Sequence, residues 1–328
     1  MRHRRPSVLS AQVAATQAKW FNSPVMFHKG SFSDIRRHIP DFVRRDFVLP
    51  ADGDERFFPN ERLDTIVRLP IGDDKSLIPV GLVSKNYSLV SHAEVLDVVE
   101  RALDWADVAL EDVKSQITIT EYGERMALSI FLPEAFSFDP GDGNPMALRL
   151  ECLNSVDGST RFRALMGWFR FICSNGLVVG ITRSDVRRRH VGDLILSDVQ
   201  AVLRSGLHDS EVEKKNLERW RNVEITEDRL TSWVDKDLLN GWGFKASARA
   251  IHIARYGADG VIIGQYKDSK PSTIAMRETN PVPGSPQRCN NLFDLSQILA
   301  WLAKERRDVQ EQLEWREEIP NLTATLLS

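Results

Sequence analysis

The chain has 328 residues, 42% of them hydrophobic and 27% charged, which is enough for one large domain or two ordinary ones around a sizeable core. A mildly negative mean hydropathy and the lack of any run of 18 apolar residues exclude a transmembrane helix, and the first twenty residues are basic but broken by polar residues before a signal-like apolar stretch forms. The net charge of −3 divides unevenly: residues 1–50 carry nine Lys/Arg against three Asp/Glu and residues 161–190 carry seven against one, leaving about −15 on the rest, so two basic stretches on an acidic background point to a polyanion as partner.

In chain order, residues 1–60 form a basic N-terminal segment broken by Pro24, Pro40, Pro50 and Pro59, expected to be irregular or made of short helices. Two Arg pairs, Arg36/Arg37 and Arg44/Arg45, flank Pro40, which forbids one continuous helix through both. Residues 61–190 read as an α+β core. LDTIVRLP and LIPVGLVSKNYSLV are strands around Gly72, Asp73 and Asp74. Ser91 then caps a helix with Glu94 three residues on, and Val95, Val98, Val99, Ala102, Trp105 and Ala106 form its apolar stripe. Ile117 and Ile119, then Met126, Leu128, Ile130 and Leu132, alternate with their neighbours as strands with one buried face. The loop DPGDGNP leads into MALRLECLNS. Asp157-Gly158 has the composition of a type I′ turn before the strand RFRALMGWFRFIC. Residues 191–328 read as mainly helical: DLILSDVQAVLRSGL, SEVEKKNLERWRNVEIT and TEDRLTSWVDKDLLN, the last opened by a capping box at Thr226, then a strand VIIGQY. LFDLSQILAWLAKERRDVQEQLEW closes this part as one amphipathic helix of about six turns.

The fold expected is therefore α+β, an antiparallel β-meander packed on helices with a mainly helical C-terminal part. The stretch LECLNSVDGSTRFRALMGWFRFICSNGLVVG resembles the hallmark of the phage/plasmid-like family of unknown function (domain of unknown function 932). GLVSKNYSLVSHAEVLDVV and NNLFDLSQILAWLA are similar to its flanking segments. The resemblance implies a mobile-element origin and supplies no mechanism. Val156 stands where that family carries a histidine before Asp-Gly-Ser, so any role of that histidine is absent here. The order of a helix, a meander and a following helix is also that of single-strand annealing proteins, an analogy of architecture alone.

Along the hallmark strand Arg161, Arg163, Leu165, Gly167, Phe169 and Phe171 share one face, while Phe162, Ala164, Met166, Trp168, Arg170 and Ile172 share the other. Each face mixes arginine with aromatics, the chemistry that grips single-stranded nucleic acid through phosphates and stacked bases, or else the chemistry of a packed core with paired arginines. Lys85 and Tyr87 set a cation and an aromatic two residues apart on one strand face, and Arg183, Arg187, Arg188 and Arg189 form the densest basic run. Asn154, Ser155, Asp157 and Asn175 read as turn formers. Cys152, Cys173 and Cys289 have no CxxC spacing and no disulfide or zinc pattern. No phosphate-loop, dinucleotide, zinc-protease or nucleophile-elbow motif occurs, and Asp209, Glu213 and Lys215, nuclease-like in spacing, fall in a helical pattern.

No cofactor is implied, and binding is favoured over catalysis, with an unrecognised enzyme site kept as a further class. The favoured function is nucleic-acid binding in phage or plasmid recombination, single-stranded DNA preferred, through Lys85, Tyr87, Arg161, Arg163, Arg170, Arg183 and Arg187 to Arg189. The alternative is a protein-binding inhibitor or anti-defence factor acting on a host protein. Self-association is expected through the stripe Leu292, Leu295, Leu299, Leu302 and Val309. The setting is read as soluble and cytoplasmic, with no membrane partner.

Overall fold

The computed structural model describes residues 19–50, 57–160, 162–170, 177–181 and 194–327. Its first strands are β1 (Lys19–Trp20) and β2 (Ser23–Gly30). One helical turn, α1 (Phe32–Arg36), follows, capped reciprocally by Ser31 and Asp34. After Pro40 the chain becomes strand: β3 (Phe42–Pro50), β4 (Phe57–Arg68) and β5 (Ile78–Ser84) form an antiparallel three-stranded sheet. Where irregular structure or short helices are expected, the described part of the first sixty residues holds one short helix, α1, and is otherwise mostly strand; residues 1–18 and 51–56 lie outside the described residues. The strand prolines are tolerated because Pro50 ends β3 and Pro59 lies outside the part of β4 that β5 pairs, Leu63 to Arg68.

Helix α2 (His92–Trp105) starts with the expected Ser91–Glu94 capping box. Val95, Val99 and Ala102 are buried as expected and Leu96 and Leu103 complete the face, whereas Trp105 stays 48% exposed, its ring under the Arg204 guanidinium at 4.6 Å. Next come β6 (Lys114–Thr120), β7 (Arg125–Phe131), the short β8 (Ser137–Phe138), β9 (Met146–Ser155), β10 (Arg163–Arg170) and β11 (Leu177–Ile181). They build one antiparallel sheet in the order β1-β2-β6-β7-β9-β10-β11, with β8 on β9.

The C-terminal half is helical around a small ribbon. Helix α3 (Leu194–Arg221) unites the two patterns expected there in one 28-residue helix. Helix α4 (Glu227–Trp233) is capped by the Thr226 side chain alone, because the third residue on is Arg229, whose guanidinium cannot accept the reciprocal bond. A π-helical turn leads into α5 (Leu239–Tyr256), and β12 (Ala258–Ile262) pairs β13 (Met276–Pro281). The expected six-turn closing helix is two helices, α6 (Leu292–Lys304) and α7 (Val309–Leu327). Asp308 makes the break, its Oδ1 accepting from the backbone N–H of Gln310 at 2.9 Å and Glu311 at 3.3 Å.

Register shows what covers the sheet. Met126, Leu128, Ile130, Leu150, Cys152, Ala164, Met166 and Trp168 share one face and pack with α2, α3 and α6 in a single apolar cluster. Ala127, Leu153 and Leu165 on the other face pack with Trp20 and with Val309 and Leu313 of α7. Both faces are therefore buried, where the alternation of the strands indicated one. The stripe Leu292, Leu295, Leu299 and Leu302 is completely buried and Val309 nearly so. This overturns self-association through that stripe, because its apolar surface is already covered within the chain. Among the described residues no helix is long and apolar enough to cross a membrane.

Candidate nucleic-acid interface

Arg163 and Arg170 lie near the two ends of β10, on opposite faces, with only 6% and 3% of their surface exposed. The Arg163 guanidinium pairs with Glu317 of α7 at 2.5 Å. Arg170 pairs with Asp142 of the loop before β9, reaches Gln297 at 3.5 Å and lies over the Phe293 ring at 5.6 Å. The aromatics between them are core as well: Phe169 meets Phe131 edge-on at 4.8 Å, and Trp168 meets Phe138 at 4.5 Å. Neither guanidinium faces solvent, because helices cover both sides of the strand. A free surface role for Arg163 and Arg170 is therefore corrected to fastening α7 and α6 onto the sheet. Arg161, Arg183, Arg187, Arg188 and Arg189 lie outside the described residues, as do Cys173 and Asn175.

Lys85 and Tyr87 follow the end of β5 in a turn rather than sharing a strand face. Arg44 of β3 organises that turn: its Nε donates to Asp64 at 2.5 Å, and its terminal nitrogens donate to the carbonyls of Tyr87 at 2.9 Å, Ser84 at 3.1 Å and Lys85. The exposed Lys85 ammonium lies 3.0 Å from Asp64 and 3.3 Å from Asp46, and hydrogen bonds to these carboxylates raise its pKa. The same bond from Lys85, aided by Arg44, holds Asp64 below the usual carboxylate range. Tyr87 is half-buried, and its hydroxyl donates to the Ser155 carbonyl at 3.2 Å; burial, then the charge of Asp157, push the phenol up to about 12.

That bond leads to the loop between β9 and β10, the centre of the hallmark. Gly158 has φ +75° while Asp157 is absent from the positive-φ positions, so the expected type I′ turn, which needs positive φ twice, gives way to a longer connection between Ser155 and Arg163. Ser155 closes it, donating to the Thr160 carbonyl at 2.8 Å and accepting from the Thr160 N–H at 3.1 Å. Asp157 pairs with Arg125 at 2.8 Å and accepts from the Ser159 N–H at 3.0 Å, while Arg125 Nε donates to Ser159 Oγ at 2.7 Å. Gly81 of β5 lets the small sheet press on this loop, since a Cβ there would come within 2.8 Å of the Asp157 Cα. Val156, at the family's histidine position, is buried with Phe42, Ile66 and Val83.

Beneath the loop, the Asn154 side-chain amide donates to the Val90 carbonyl at 3.0 Å and to His92 Nδ1 at 2.9 Å, and His92 Nε2 donates to the Gly123 carbonyl at 2.7 Å. The sequence reading missed His92, Glu124 and Arg125, whose one local signal is their place beside helix and strand starts. His92 bonds Asn154 and the Gly123 carbonyl, Glu124 accepts from the Ser23 and Thr120 hydroxyls at 2.9 and 2.7 Å, and Arg125 holds Asp157 and Ser159, an arrangement that shapes a loop and supplies no nucleophile paired with a base. Among the described residues no group of three His, Cys, Asp or Glu is placed to hold a metal, and Cys152 and Cys289 are buried thiols.

Gly158→Val should lower the melting temperature, because a β-branched residue at this positive φ costs about 1 to 2 kcal/mol; the check is a thermal melt, and a variant melting with the parent would refute the loop geometry.

A family model described as Domain of unknown function (DUF932) matches residues 79–279, from β5 through β13. Among curated proteins, the UPF0380 protein YafZ of Escherichia coli (strain K12) is 37% identical over 65 residues, 20% of this chain and 24% of that protein. The UPF0380 protein YfjQ of the same organism is 46% identical over 43 residues, 13% of this chain and 16% of its own. The alignments thus span about a quarter or less of these relatives. No solved structure matches the chain.

Proposed function

Because the chain belongs to the family of the domain of unknown function DUF932, whose description assigns no activity, we propose its function from its own chemistry: it binds nucleic acid, with single-stranded DNA favoured. The observation that carries this reading is the charge partition. Outside residues 1–50 and 161–190 the chain carries about −15, and Arg163 and Arg170 of β10 are already paired inside the fold. Basic charge is densest within residues 161–190, seven Lys/Arg against one Asp/Glu, where Arg161, Arg183, Arg187, Arg188 and Arg189 bracket β10 and β11 in sequence. Clustered guanidiniums bind polyanions by releasing condensed counterions, and this needs no shaped pocket. Annealing or recombination on a mobile element is the role that fits such binding, and the cytoplasm is its setting.

Replacing Arg187, Arg188 and Arg189 together by alanine should lower the logarithmic salt slope of oligonucleotide binding by roughly 1 to 2 units, at about 0.7 per phosphate contact on single strands. A gel-shift series from low to high salt reads this. Equal affinity of variant and parent at low salt would sink the reading.

One observation favours a second reading, a protein-binding inhibitor or anti-defence factor acting on a host protein. Val48, Leu49, Phe57 and Phe58, where β3 and β4 extend past β5, are exposed. A chain that binds no oligonucleotide at low salt would move the proposal to that apolar arm.

A further inference from the structure

A cleft of about 970 Å³ lies between the N-terminal half of α5, the β12–β13 ribbon and the turn from α6 to α7. Its size suits a small ligand or a stretch of polymer. Four carboxylates line it, and each is already engaged. Asp259 pairs with Arg249, accepts the Trp301 indole N–H at 3.0 Å and accepts the Gly260 N–H at 2.7 Å. Asp308 caps α7 and accepts from the Phe21 N–H. Glu305 pairs with Lys304 at 3.0 Å and Glu311 with Arg306 at 2.7 Å.

The cations are not balanced in the same way. Lys245 and Arg307 are both exposed, line the same cleft, and form no ion pair among the described residues. Tyr266 joins them, 40% exposed, with its ring stacked on Phe244 at 4.6 Å and an interplanar angle of 17°. Phe244 supports the tyrosine ring from one side and presents it as a flat platform. Two cations free of ion pairs beside a supported aromatic ring suit a ligand that is both anionic and planar.

We infer that this cleft binds a nucleoside phosphate, its base stacked on Tyr266 and its phosphate held by Lys245 and Arg307. The phosphate belongs either to a free nucleotide or to one unit of a single strand. The cleft shares no residue with the arginine segments, so the inference is tested apart from them.

The experiment measures binding of two probes, metal-free ATP and a fluorescein-labelled 15-mer of thymidylate, to the full chain at low salt. The expected result is that the parent binds at least one probe. Lys245→Ala with Arg307→Ala should then weaken binding at least tenfold, and Tyr266→Leu should weaken it several-fold, with thermal melts unchanged because these side chains are exposed and stabilise no ion pair. Should the double variant melt early, each single variant replaces it and should lose part of the same affinity. ATP binding that competes with the 15-mer identifies a mononucleotide site; binding of the 15-mer alone identifies a strand. Neither probe binding the parent, or parental affinity in the cleft variants, overturns the inference. If Arg187, Arg188 and Arg189 to alanine abolishes binding of the 15-mer while the cleft variants retain it, the cleft inference fails and the arginine reading survives; under the converse pattern the cleft site stands and the arginine reading fails.

Discussion

Glu151→Ala is expected to destabilise the fold by about 3 to 5 kcal/mol, the cost of removing the shared partner of buried charges. Glu151 lies on the sheet face under α7, with Arg149 at 2.9 Å and Arg316 at 3.1 Å, and all three are nearly excluded from solvent. Its loss strands two guanidiniums that cannot neutralise. Burial pulls the Arg149 pKa down to about 10 against the attraction of Glu151, still far above neutrality, so the charge persists at pH 7. Burial likewise works to raise the Glu151 pKa, but Arg149 and Arg316 outweigh it and hold the carboxyl below its ordinary value of 4.5. With the folded pKa depressed, the stabilisation is complete above the unfolded value and is lost as pH falls through the folded one. Denaturant melts of parent and variant at pH 7 and through the acid range check both statements. The parent should lose more stability than the variant on acidification. A loss at pH 7 near the roughly 1 kcal/mol of an exposed pair would show that the triad is not buried as described.

This triad also shows where sequence reading stops. Local periodicity identified the alternation of β6 and β7, the Ser91–Glu94 cap and the two faces of β10, because each is set by neighbours within a few residues. What covers a face is set at long range: Arg163 meets Glu317, 154 residues away, and Glu151 meets Arg316, 165 away. Counting charge along the chain treats such an arginine like an exposed one, which is how Arg163 and Arg170 entered the candidate interface. Lys85 and Tyr87 were misplaced for a related reason, since the ligand of that turn, Arg44, comes from another strand. Asp157-Gly158 has turn composition, yet Arg125 claims the Asp157 carboxylate within a connection longer than a two-residue turn. The break between α6 and α7 is hidden in the sequence, because Asp308 and Glu311 stand at capping-box spacing inside a continuous apolar pattern with no glycine or proline between them to mark it. Helix α5 went unnoticed because its glycines obscure the Ala246, Ala250 and Ala254 positions that pack it against the core.

The same long-range dependence predicts the outcome of ending the chain before Asn290: the remainder should not fold. The deletion removes α6 and α7 together, and these lie against opposite faces of the central sheet. Leu292, Leu295, Leu299 and Leu302 are each fully buried. At about 1.5 to 3 kcal/mol per buried leucine, these four alone contribute on the order of 6 to 12 kcal/mol, as much as the whole margin of about 5 to 15 kcal/mol by which domains are folded. Loss of α7 adds the exposure of Leu153 and Leu165 and leaves Glu151 without Arg316. Light scattering and a circular-dichroism melt of the truncated chain read the result, with no cooperative transition expected. A folded, monomeric truncation from an oligomeric parent would instead place the leucine stripe at an interface between chains. A stripe that covers its own sheet leaves no such choice, since the sheet and the helix each lose their apolar partner at once.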